Sequence, residues 1–189
     1  MHNRVEAGFG YNAAHARHGQ DSRAAVTGTG DTSALAAIEG SALATAMRQD
    51  LWLYPSVEIL HILGFVTLVG SIAAFDLRLL GMSRELSVRG LARHLLPWGL
   101  GALLIIVPTG LLMFMAHASD LIGNRAFVLK LTLIAAAGMN AAAFHLGPFR
   151  VAEQWDSGVA PPPSARLHAV VSLLIWAGVI ACGRLLAYL

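Results

Sequence analysis

The chain has 189 residues, of which 56% are hydrophobic and only 13% charged; soluble domains carry about 25% charged residues. That deficit argues against a soluble domain and for helices embedded in a bilayer. The formal net charge of +2 is spread along loops rather than clustered, so nucleic acid is not an expected partner, and the single cysteine, Cys182, excludes an intrachain disulfide and any CxxC motif.

Residues 1–30 show no apolar period and are rich in Gly, Ala and small polar residues, which predicts a disordered tail. They lack the continuous apolar run of a secretory signal. His2, His15 and His18 fall there at irregular spacing, a poor pattern for a metal site. Asp31-Thr32-Ser33 resembles a helix N-cap region. Residues 31–51 are therefore expected to form an interfacial helix, in one piece or broken near Gly40. Trp52 and Tyr54 suit the headgroup level at the start of a membrane segment.

Four membrane spans follow, at about 55–77, 92–115, 126–147 and 168–188. Each is near the ~20 residues that a helix needs to cross ~30 Å of hydrocarbon. Short loops join them, which predicts an all-α, polytopic four-helix up-down bundle over 52–189. Pro97 sits in the first turns of the second span, and Pro108 is interior and is expected to kink it. Gly64, Gly70, Gly99, Gly101, Gly110, Gly138 and Gly178 are expected to let helices approach closely. Arg78, Arg84, Arg89, Arg93, Arg150 and Arg166 share one side. Arg48, Arg125, Lys130 and Arg184 lie toward the other. This bias predicts cytoplasmic arginine loops and both termini outside.

Each span carries a histidine near one end: His61, His94, His145 and His168. Antiparallel topology places the last three on the arginine side, where pairs such as His94 with His145 or His145 with His168 could ligate a b-type haem. No CxxCH motif is present, so covalent haem is excluded. At the opposite end, His61, Met113 and Cys182 are of the ligand types that copper prefers. The same layer holds Glu58, Lys130 and Arg184, whose opposite charges should pair if buried together. No cofactor is required by any of these patterns; haem b and copper are those the residues could serve, and ordinary structural roles explain the same histidines. Asp76 followed by Arg78 reads as a membrane-boundary pair, and Asn140 as a hydrogen-bonding partner for a neighbouring helix. Soluble-enzyme motifs such as GxSxG, HExxH and the phosphate loop are missing.

Four pieces carry a resemblance: LWLYPSVEILHILG at 51–64, FDLRLLG at 75–81, FVLKLTLIAAAGMNAAAFH at 127–145 and IWAGVIACGRLLAYL at 175–189. Over about 33–189 the chain resembles a family of small bacterial four-span inner-membrane proteins without assigned activity. The span with Lys130, its Ala-rich run and Asn140 is similar to one helix of the copper-resistance D membrane proteins, and through them to four-helix b-type cytochromes. That likeness implies copper or haem handling and assigns no ligands. Three function classes follow. The first is a redox or metal-handling bundle in the bacterial inner membrane. The second is a transporter component with a buried charge relay. The third is a non-catalytic member of a membrane complex or homo-oligomer.

Overall fold

A computed structural model describes residues 33–186 and 188. The expected tail over 1–30, with its three histidines, lies outside the described residues, as do Asp31 and Thr32. Residues 33–39 are helical and end in a turn at Gly40. Helix α1 (Ala42–Gln49) restarts from Ser41, whose hydroxyl accepts the Ala44 N–H at 3.2 Å.

The chain then forms α2 (Leu53–Leu79), α3 (Val88–Ala116), the short α4 (Ala118–Gly123), α5 (Arg125–Leu146), a 3-10 segment (Pro148–Trp155) and α6 (Pro163–Leu185). Helices α2, α3, α5 and α6 are each long and apolar enough to cross a membrane. The last span starts at Pro163 rather than 168 and ends at Leu185 rather than 188. Proline is favourable in a first turn because its missing N–H has no intrahelical acceptor there, so the proline run begins the helix instead of only preceding it. Helix α3 continues through both Pro97 and Pro108.

Sequential spans do not all pack. Helix α2 lies against α3 and α6, and α5 lies against α6, but no Cα of α3 comes within 8 Å of one in α5. The spatial order is α3, α2, α6, α5, an open row in place of a closed ring. Helix α4 and the capping residue Asn124 intervene between the two separated spans, and near that connection the rings of Phe114 and Phe127 stack at 5.8 Å. The glycines divide accordingly. A Cβ at Gly64 would meet the Ile106 side chain at 3.0 Å and the Ala102 carbonyl at 3.4 Å, and one at Gly178 would meet Leu133 at 3.1 Å. Those positions permit close helix approach. At Gly70, Gly101 and Gly138 an added Cβ meets nothing within 4 Å, so the expectation that they mediate packing is corrected.

Two apolar clusters hold the row together. Leu68, Ala102, Ala137, Trp176 and Val179 join all four spans at mid-height. Leu79, Val88, Phe144, Ala152, Trp155, Ala165 and Ala169 close the arginine-rich end. Beside the second cluster, Arg78 is 2% exposed and donates to the carbonyls of Leu86 at 2.7 Å, Arg84 at 2.9 Å and Asp156 at 2.9 Å. Asp156 in turn accepts the Arg89 N–H at 2.8 Å and the Ser87 hydroxyl at 2.8 Å, at the first turn of α3. At the other end of α3, Arg48 donates to the Ala116 carbonyl at 3.0 Å and to the Glu39 carbonyl at 2.6 Å. Glu39 accepts the Ser119 hydroxyl and N–H at 2.6 and 2.7 Å, which hold its carboxyl below the ordinary carboxylate range.

The Arg89 N–H, reinforced by the Ser87 hydroxyl, likewise holds the Asp156 carboxyl below its ordinary range. A depressed carboxylate stabilises the fold fully above its unfolded value, about pH 4, and loses that contribution as pH falls through its lower folded value. Asp156→Ala should therefore cost about 1 kcal/mol at neutral pH, the usual loss for a capping carboxylate. It should also flatten the acid limb of stability, as measured by thermal unfolding of the purified protein between neutral and acidic pH.

Candidate functional site

Between the two apolar clusters lies a cavity of about 350 Å3, lined from all four spans. Its walls follow helical spacing. Helix α2 contributes Leu68, Ser71, Ile72, Phe75, Asp76 and Leu79, and α3 contributes Leu95, Leu96, Gly99, Leu100 and Leu103; steps of three and four keep each set on one face. Helix α5 adds Ile134, Gly138, Asn140, Ala141, Phe144 and His145, while His168, Ser172 and Trp176 descend one face of α6. Because α3 and α5 stand apart, the cavity opens sideways between them. Leu96, Leu100 and Leu103 on one lip, and Ile134 on the other, are both cavity-lining and exposed.

The lining is apolar except for one compact polar wall. Asp76 is 5% exposed, its carboxyl is reached from α6 by Ser172, and its Oδ2 has no hydrogen-bond partner. Asn140 donates from Nδ2 to the His168 carbonyl at 3.0 Å, which orients its amide so that Oδ1 faces the His168 ring. The Nδ1 of His168 lies 2.8 Å from that oxygen and must carry a proton, so in the neutral ring it is Nε2 that holds the lone pair. His145 directs Nδ1 to the Ala141 carbonyl of its own helix at 2.9 Å, with the same consequence. Phe144 is 4% exposed and packs edge-on against both imidazoles and against Phe75.

The expected site residues sort into separate places. His145 and His168 share this cavity. His94 does not; it lies in an open surface pocket with Ser87, Arg89, Arg93 and Asp156, where Asp156 already serves the helix N-terminus as its anion. His61 is half-buried between α2 and α3, with Nδ1 2.9 Å from the Thr109 hydroxyl. That hydroxyl donates to the Ile105 carbonyl at 2.6 Å, so its oxygen accepts from the imidazole. Met113 is half-buried and Cys182 is a buried free thiol. Among the described residues no group of three or more His, Cys, Asp or Glu is arranged to hold a metal ion.

The charged groups expected at the outer end form no ion pair with one another among the described residues. Lys130 is half-buried, with Nζ 3.9 Å from where a Cβ at Gly183 would lie. Glu58 is exposed on α2, and Arg184 is exposed and turns to the Tyr188 ring, 4.8 Å away. No salt bridge joins Glu58, Lys130 and Arg184 among the described residues. Nor does Arg78 pair with Asp76. Two residues apart on a helix, they point about 200° from each other, the cation into the loop carbonyls and the acid into the cavity.

Asp76 is thus the site residue that sequence reasoning passed over. The sequence shows an acid within a span, which is itself a signal; that its stripe from Leu68 to Leu79 faces the cavity is seen only in the structure.

Residues 34–189 match a protein family described as a family of unknown function (DUF6644). No curated protein and no solved structure matches the chain.

Asn140→Leu keeps the side-chain bulk but leaves the His168 ring proton unpaired inside the membrane and removes the second hydrogen bond to its carbonyl. It should lower stability by about 1–2 kcal/mol, read as a shift in the SDS-induced unfolding midpoint. His168→Leu in the same background should recover part of the loss, because the orphaned ring is then gone.

Proposed function

The chain belongs to a family that brings no activity with it, and from the cavity we propose that it is a membrane-embedded binding protein, of the transporter-component class, that admits a small lipophilic molecule sideways from the bilayer. One observation carries this reading: the cavity opens between two spans that do not pack together, at a level where the solvent is lipid. Ligand sites in helix bundles are formed between helices from an apolar lining with a few convergent polar groups, and this cavity has that composition. Ionisable side chains within a span mark functional sites by default because they are costly to keep there. The loop arginines support an orientation with the Arg78 end in the cytoplasm, so that the cavity opens in the cytoplasmic half of the membrane.

A redox reading stands second. His145 and His168 line one cavity, and each has its Nδ1 proton engaged and its Nε2 lone pair free, the arrangement that a metal-ligating imidazole adopts. A Soret band in protein purified from haem-replete cells, lost in His168→Ala, is the outcome that would move the assignment to a b-type haem bundle. The binding reading expects a colourless protein.

Lateral access is checked directly by photolabelling in lipid nanodiscs with a neutral aryl diazirine dissolved in the bilayer. The expected result is labelling of the inner-wall residues Asp76 and Ser172, together with lipid-facing Leu104. Gly138→Trp should abolish the inner-wall labelling and spare Leu104, because Gly138 faces open space within the cavity. Gly101→Trp, outside the cavity, should change neither. Labelling confined to Leu104 in the unaltered protein would overturn the reading.

A further inference from the structure

We propose that the ligand of this cavity is a lipophilic ammonium ion whose charged nitrogen docks on Asp76; the inference rests on the lateral-binding reading above and names its ligand class. The surrounding solvent decides what can be selected. A molecule that leaves lipid for an apolar cavity gains little from the apolar contacts, because acyl chains are as apolar as leucine. Selection must then come from the polar wall, and that wall has a definite bias. Asp76 offers an unpartnered, buried acceptor oxygen, and His168 and His145 offer Nε2 lone pairs. Asn140 has its amide nitrogen and oxygen committed to His168. The side-chain donors in the lining are the Ser71 hydroxyl, the Ser172 hydroxyl, which already reaches the Asp76 carboxyl, and the Trp176 indole N–H.

Among the described residues no lysine or arginine pairs with Asp76. Lysine and arginine are absent from the lining, and among the described residues the ion pair formed is Arg89 with Glu153, outside the cavity. The nearest cation in sequence, Arg78, gives Nε and Nη2 to three main-chain carbonyls on the opposite face of α2. A buried carboxylate with an excess of neighbouring acceptors is complementary to a positively charged donor. The aromatic lining points the same way. Phe75, Phe144 and Trp176 are among the lining residues, and ring faces attract cations, most strongly where water is excluded. A neutral donor such as an alcohol would satisfy Oδ2 but would gain nothing from the rings or from the charge.

The test uses the full chain in nanodiscs of one zwitterionic lipid and asks which molecules displace the neutral diazirine from the inner wall. Octylammonium and octanol share a chain and differ in charge, and both are counted per lipid as the membrane-partitioned amount. Octylammonium should protect Asp76 and Ser172 from labelling at a concentration at least tenfold below that of octanol. In Asp76→Asn the inner wall, read at Ser172, should still label and the two competitors should become equivalent. Should that variant fail to fold, Phe75→Leu is the second probe. It should weaken protection by octylammonium about threefold, the lower range expected of one ring–cation contact, and leave octanol unchanged. Equal potency of the two competitors on the unaltered protein, or an ammonium preference that survives Asp76→Asn, would overturn the inference while leaving lateral binding intact. An inner wall that never labels would overturn both.

Discussion

The arrangement depends on a buried cation that, among the described residues, forms no ion pair within 4 Å. Arg78 is 2% exposed at the end of α2 and directs Nε and Nη2 to the carbonyls of Leu86, Arg84 and Asp156. Burying a guanidinium is costly, and hydrogen bonds to fixed carbonyls are what offset that cost. Those three carbonyls belong to the loop after α2 and to the connection before α6, so one side chain fixes the exit of the first span relative to the approach of the last. Asp156 extends the same knot into the start of α3 through Ser87 and the Arg89 N–H. Once Arg78 is turned outward into this knot, helical geometry turns Asp76, two residues earlier, toward the bundle interior. The structural cation and the candidate site's anion are thus set by one helix rotation.

The two apolar clusters act as floor and roof for what lies between. At the arginine-rich end, Phe144 is packed among Phe75, Phe149 and the two imidazoles, and at mid-height Trp176 packs against Phe65. Between them the small residues of α5 leave volume unfilled, and Gly138 faces that volume with no neighbour for a Cβ to touch. Close packing is the ordinary condition of a protein interior, and a cavity of about 350 Å3 departs from it. It is maintained here because its boundaries are held by contacts that do not run across it.

The spans were legible in the sequence because length and apolarity suffice to find a membrane helix. The break near Gly40, one of the two alternatives, is present, and four helices are long and apolar enough to cross a membrane, while the cap at Ser41 was not foreseen. What could not be read was helix phase. A span that is apolar on every side does not reveal which face meets protein and which meets lipid. Glu58 and Arg184 therefore looked like partners for Lys130 by depth alone, yet they lie exposed. Asp76 looked like half of a boundary pair because the next charge was two residues away, though that spacing puts the two on opposite faces. Topology sorted the histidines to two ends, but depth could not show that His168 is fixed by Asn140 while His94 sits outside the cavity. Asn140 was read as a helix-bonding residue, and that is the contact it makes, although the pairing also orients a candidate site histidine.

Helix α3, one of the two spans at the ends of the row, is secured at both of its termini. Helix α3 has no backbone contact with α5 along the cavity mouth, so its position rests on α2 and on its termini. Its first turn is held by Ser87 and Asp156. Its last turn is held by Arg48, which meets the Ala116 carbonyl, and the following helix by Glu39, which meets Ser119. The charged groups of the segment before the first span therefore anchor the far end of the helix that forms one lip of the cavity. Along its middle α3 packs on α2 through Ala102 and Ile106, and only its cavity-side lip lacks a helical neighbour. Passage of a molecule between α3 and α5 then requires displacement of Leu96, Leu100 and Leu103 against lipid, with the Arg78 knot and the Arg48 clasp left in place.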